Sequence, residues 1–105
     1  MSTASRYEIH VALRVTDEDG YQQYRNEMTP LLEAVGACFR YDMRVSELLR
    51  GKADEPFNRA FVISFPDEQT KLEYFADERY KAIRAKHFDR SVSSVRQIAS
   101  YWTQV

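Results

Sequence analysis

RAFVISFPDEQTKLEYFADERY, residues 59–80, is the stretch whose reading decides the fold. Phe61, Ile63 and Phe65 alternate with Ala60, Val62 and Ser64, so both faces are apolar or small, the pattern of a central strand. Pro66 lacks the N–H that a ladder needs and ends that strand. Asp67 stands where a helix would be capped, with Glu68 in the first turn, where the helix dipole favours a carboxylate. Leu72, Phe75 and Ala76 supply the i, i+3, i+4 stripe of an amphipathic helix. Asp77 and Glu78 repeat the acidic start signal. The helix is therefore expected to break near Asp77 and continue with Tyr80, Ile83 and His87 on one face.

Upstream, residues 7–15 alternate cleanly. Tyr7, Ile9, Val11, Leu13 and Val15 share one face, and Glu8, His10, Ala12 and Arg14 the other. Thr16 and Asp19 have capping-box spacing and open a helix whose stripe is Tyr21, Tyr24, Met28, Leu31 and Val35. Pro30 within that stripe predicts a kink, and Gly36 a stop. Phe39, Tyr41, Met43 and Val45 then alternate with Arg40, Asp42 and Arg44, with a slip of phase expected at residues 46–49. Residues 50–58 read as a polar turn. Ser91, Ser93 and Ser94 mark a loop before a last strand at 95–105, with Ile98 and Trp102 on one face and Ala99 and Tyr101 on the other.

The order is β-α-β-β-α-β, which predicts an α+β fold: a four-stranded antiparallel sheet with both helices on one face, the ferredoxin-like arrangement. The 105 residues suit one domain, 7–105, behind a disordered tail at 1–6, and can bury roughly 60–70% of their unfolded surface. No apolar run reaches membrane-spanning length, and MSTASR lacks the apolar core of a signal peptide. A net charge of −1 with interspersed signs points away from nucleic acid as a partner. The lone Cys38 cannot form an internal disulfide, which fits a cytoplasmic protein.

Two helices cover only one face of such a sheet. Ile9, Val11, Leu13, Phe39, Tyr41, Met43, Phe61, Ile63 and Phe65 are assigned to the helix side. The other face is then Glu8, His10, Ala12, Arg14, Arg40, Asp42, Arg44, Ala60, Val62 and Ser64. Ala and Val at the centre of that face suit a second copy stacked upon it better than they suit water. A homodimer enclosing a partly polar cavity is the expectation.

The chain resembles the domain family of unknown function numbered thirteen-thirty, within the dimeric α/β-barrel superfamily. The likeness spans Tyr7 to Tyr101. It rests on Tyr24, Gly36 before Phe39, Leu49-Arg50-Gly51, Arg59, Phe65-Pro66, Tyr74-Phe75 and Tyr80. The resemblance implies ferredoxin-like subunits whose sheets face each other in a dimer, and it implies no established activity. Ala37 replaces a second glycine, Arg50 an acidic residue, Tyr74-Phe75 a Trp-Tyr pair, Asp77-Glu78 a Ser-Pro pair and His87 an arginine.

His10 and Arg14, with Arg40, Asp42 and Arg44 on another strand, could hold an anion or form the ion pairs of an interface. Arg84 and His87 are expected near the mouth of such a cavity, with His87 also complementing a helix C-terminus. The two histidines have no HxH, HxxxH or Cys partner, so neither a metal nor a cofactor is expected. The tyrosines at 21, 24, 74 and 80 read as core. The favoured function is binding of a small anionic or aromatic metabolite between or beside stacked sheets. The superfamily likeness adds one alternative, a cofactor-independent or haem-degrading monooxygenase-like enzyme using His87 or His10, and a purely structural or interaction dimer is the other.

Overall fold

The computed structural model describes residues 5–51 and 56–104. Its elements are β1 (Ser5–Val15), α1 (Glu18–Ala34), β2 (Cys38–Arg44), β3 (Arg59–Phe65), α2 (Glu68–Ala76) and α3 (Glu78–Ile83). A π-helical turn (Arg84–Phe88), a short α4 (Asp89–Ser91) and β4 (Val92–Gln104) complete the chain. The strands form one antiparallel sheet in the order β2-β3-β1-β4. This is the expected ferredoxin-like plan.

Alternation in β1 and β3 sets the core. Tyr7 pairs with Phe65, Ile9 with Ile63 and Val11 with Phe61, and all six are buried towards the helices. Tyr21, Tyr24, Met28 and Leu32 of α1 meet them there. Leu13, Leu32 and Phe65 have no exposed surface. Pro30 falls on the exposed side of α1, which runs on through it to Ala34.

The caps fall as local chemistry requires. The Asp67 carboxylate accepts from Thr70 N at 2.7 Å, and Asp77 both closes α2 and caps α3. The first helix is capped by Asp17, which accepts from Gly20 N at 3.1 Å, and not by Thr16. Thr16 instead donates to the Ser91 carbonyl. A Cβ at Gly20 would stand 2.7 Å from the capping carboxylate, so a larger residue there would have to push that side chain aside. Gly36, with φ of +80°, turns the chain out of α1 as expected.

Three expectations need correction. First, β1 begins at Ser5, and the Arg6 guanidinium donates to Ser64 Oγ, Ser64 O and Gly36 O. The remainder of the expected tail, residues 1–4, lies outside the described residues, as do 52–55 of the expected polar turn and Val105.

Second, the phase of β2 slips early. Phe39 pairs with Ile63 but Tyr41 with Val62, so Arg40 is the extra residue of a bulge. Asp42 and Arg44 therefore stand opposite Phe61 and Arg59 on the helix side, and Tyr41 and Met43 stand opposite Val62 and Ala60 on the open side. This reverses the assignment made from simple alternation for those four residues.

Third, Ser93 and Ser94 belong to β4 and not to a loop. A register shift falls between the Ala99 and Gln97 pairings, at Ile98. Trp102 lies opposite Tyr7 on the helix side, and Ala99 and Tyr101 lie opposite His10 and Glu8 on the open side.

Candidate functional site

The six residues singled out by sequence do not converge. His10 stands on the open face opposite Val62 and Ala99, with Arg14 further along β1 donating to the Pro56 carbonyl at 3.3 Å. Arg40 lies 3.3 Å from Glu8, whose side chain is only 4% exposed. That contact is close enough for an ion pair, yet Glu8 Oε2 has no aligned hydrogen-bond partner among the described residues.

Asp42 is on the other side of the sheet. One carboxylate oxygen accepts from Arg25 Nη2 at 2.8 Å and from Arg59 Nε at 3.1 Å, and the other accepts from Arg59 Nη2 at 3.1 Å. Burial pushes this carboxyl up, but the hydrogen bonds and charges of Arg59 and Arg25 outweigh it and hold it below the usual carboxylate range. The Arg25 guanidinium also lies 3.8 Å over the Phe39 ring and donates to the Tyr21 hydroxyl. This is a structural clamp between α1 and the sheet.

His87 Nε2 lies 2.7 Å from Glu27 Oε2, tying the π-helical turn to α1. Coordination of a metal through this nitrogen would have to break that bond. Among the described residues, no three His, Cys, Asp or Glu side chains gather as a metal site. No helix there is long and apolar enough to cross a membrane.

Of the six, Arg14 lines a hollow beside residues 45–51 and 56–58, and Arg84 lines a more apolar cavity. That cavity, of about 300 Å³, lies between the sheet and the helices. Its floor is Ile9, Val11, Leu13, Phe61 and Ile63, and its walls are Tyr24, Met28, Phe39, Phe75, Tyr80 and Phe88. Lys71, Arg84, Val95 and Gln97 also line it, and the last three are exposed, which marks the side open to solvent along β4. The opening exists because the helices leave the β4 margin uncovered: Val95 is 47% exposed and Trp102 55%.

The walls form a continuous aromatic run. Tyr24 packs on Phe88 with centroids 4.9 Å apart, and Tyr80 packs on Tyr74 and Phe75 at 5.0 and 5.1 Å. Arg84 and Phe88 bound the π-helical turn, a wide turn often found at functional sites. Sequence reading placed Tyr24 and Tyr80 in the core correctly but missed the cavity. Helical spacing reports which residues face inward, not whether their side chains fill the space they face.

A four-stranded antiparallel sheet with helices on one face defines a ferredoxin-like fold. The chain belongs to the family of the domain of unknown function DUF1330, whose model matches residues 5–100. It is similar to a protein of unknown function from Rhodopseudomonas palustris, with TM-score 0.77 and 17% identity over 97% of this chain and 83% of that one. A dabb family protein with a ferredoxin-like fold from Mesorhizobium loti matches with TM-score 0.64 and 16% identity, over 92% and 95% of the two chains. A dimeric ferredoxin-like protein of unknown function from Thermobifida fusca matches with TM-score 0.57 and 14% identity, over 100% and 95%. At these identities the likeness is one of fold. No curated protein matches the chain.

Proposed function

We propose that the chain is a cytoplasmic homodimer, paired through the open face of its sheet, and that each subunit binds a small aromatic molecule with an anionic group in the cavity beneath the helices. The cavity carries this reading. Its volume is at the small end for ligand sites, its lining is mostly aromatic and aliphatic, and two cations, Lys71 and Arg84, stand among the lining residues. The combination suits a compact planar body with a carboxylate or sulfonate. His10 and Arg40 fall to the interface in this reading.

Fluorescence titration with 2-naphthoate and naphthalene tests the site. Both should bind, the carboxylate more tightly. Lys71→Ala with Arg84→Ala should erase most of that difference, a loss of about two- to fivefold for partly exposed charges. Failure of both probes to bind would leave the structural-dimer alternative. Turnover of an aromatic ligand without added cofactor would favour the monooxygenase-like one.

For the dimer, the support is the open face itself and the Thermobifida protein described as dimeric. Tyr41, Met43 and Tyr101 on this face are 57%, 45% and 39% exposed, around a small-residue centre of Ala12, Ala60, Val62 and Ser64. Size-exclusion chromatography with light scattering should give the dimer mass, and Tyr41→Asp with Met43→Asp should give a folded monomer. A parent protein that is monomeric at tens of micromolar would remove the interface. Val62 is a poorer target, since it is buried within a single chain.

A further inference from the structure

Tyr24 and Tyr80 line the cavity from different helices, and their hydroxyl oxygens lie 2.8 Å apart. Both side chains are nearly buried, at 5% and 3% exposure. Two hydroxyls carry two protons. Their mutual hydrogen bond uses one, and among the described residues neither oxygen has a further hydrogen-bond partner. The neighbouring Tyr74 is different, because its hydroxyl donates to the Met28 carbonyl at 2.8 Å. One O–H of the Tyr24–Tyr80 pair is thus left over in a largely apolar space, where an unused donor is costly.

We propose that this spare hydroxyl proton is the recognition element of the cavity, and that the ligand is a planar molecule presenting a carbonyl or phenolate oxygen to it. The inference rests on the cavity reading above and adds the group the ligand must carry at its inner end. An acceptor suits the pair, because its mutual hydrogen bond leaves the second proton without a destination. Burial, and then the neighbouring Tyr80, push the Tyr24 hydroxyl far above the ordinary tyrosine value. The Tyr24 hydroxyl therefore stays protonated throughout the working pH range. An aromatic hydrocarbon would fill the same volume and leave the proton stranded.

The probes are 2-acetylnaphthalene, which has a carbonyl acceptor, and 2-isopropylnaphthalene, which has nearly the same shape without one. The parent protein should bind the ketone about three- to tenfold more tightly than the hydrocarbon, the worth of one neutral hydrogen bond. Tyr24→Phe with Tyr80→Phe should bring the two affinities together and leave hydrocarbon binding intact. Each single variant keeps one hydroxyl whose proton is now free, so at least one of them should retain the ketone preference. Should the double variant not fold, the infrared carbonyl stretch of 2-acetylnaphthalene bound to the parent protein decides. It should lie below its value in hexane, as for a hydrogen-bonded ketone. Equal affinities in the parent protein, a preference that survives the double substitution, or an unshifted stretch would overturn the inference while leaving the cavity reading intact. If the parent protein binds neither probe, both fall together.

Discussion

Phe65→Ala is expected to cost about 3–5 kcal/mol, the usual range for truncating a buried phenylalanine. At about 5 °C per kcal/mol for a domain of this size, that is a fall of roughly 15–25 °C in melting temperature. Phe65 has no exposed surface and ends β3 directly before Pro66. Its ring meets Tyr74 and Phe75 of α2 with centroids 6.2 and 5.9 Å apart, and it pairs across the sheet with Tyr7. The corner cannot collapse to fill the space, because Pro66 fixes the backbone on one side. Pro66 Cγ also stands against Gly36, 3.2 Å from where a Cβ would be. Thermal unfolding followed by circular dichroism measures the effect, and a loss below about 1.5 kcal/mol would mean that the corner repacks.

Asp42→Ala should be the next most damaging change, at about 2–3 kcal/mol. That is below the usual 3–5 for breaking a buried ion pair, because the Asp42 side chain is 32% exposed. The substitution leaves Arg25 and Arg59, with side chains 10% and 12% exposed, facing one another without the carboxylate between them. Arg25→Met in the same chain should recover part of the loss by removing one of the stranded charges, which a double-mutant cycle in urea would show as coupling. The pH dependence has a fixed sign. The Asp42 carboxyl is held below the usual range in the folded state, so its contribution is complete above the unfolded value of about 3.9 and disappears as pH falls through the folded one. The gap between parent and variant should therefore be constant near neutrality and close in acid. A gap that widens on acidification would contradict the assignment.

Asp42 also shows where sequence stops being legible. In β1 and β3 the apolar positions alternate without interruption, and the face each residue occupies follows directly. The break at Asp77 and the caps at Asp67 and Gly36 were legible for the same reason: each is decided within a few residues. The facing of β2 is decided elsewhere, by Arg25 on α1 and Arg59 on β3 holding Asp42 to the helix side. Nothing within residues 38–44 announces partners 17 positions away in either direction. The candidate site failed in a related way. His10, Arg14 and Arg40 were grouped by charge on a face whose polarity the bulge had changed, and the Glu27 partner of His87 is 60 residues distant in the chain. The hydroxyl pair of Tyr24 and Tyr80 hides inside a helical stripe that any packed core would show.

The bulge in β2 bears on how related chains have diverged. Arg40 behaves as an insertion: with it removed, Tyr41 would follow Phe39 directly and still oppose Val62, and Asp42 would still oppose Phe61. A homologue one residue shorter here would present the same two faces on a regular ladder, lacking only the arginine beside Glu8. Lineages could gain or lose this residue without exchanging the surface that meets solvent for the one that meets the helices. Descent in this segment is therefore better traced by matching Asp42 to Asp42 across a gap than by matching one hydrophobic residue to the next.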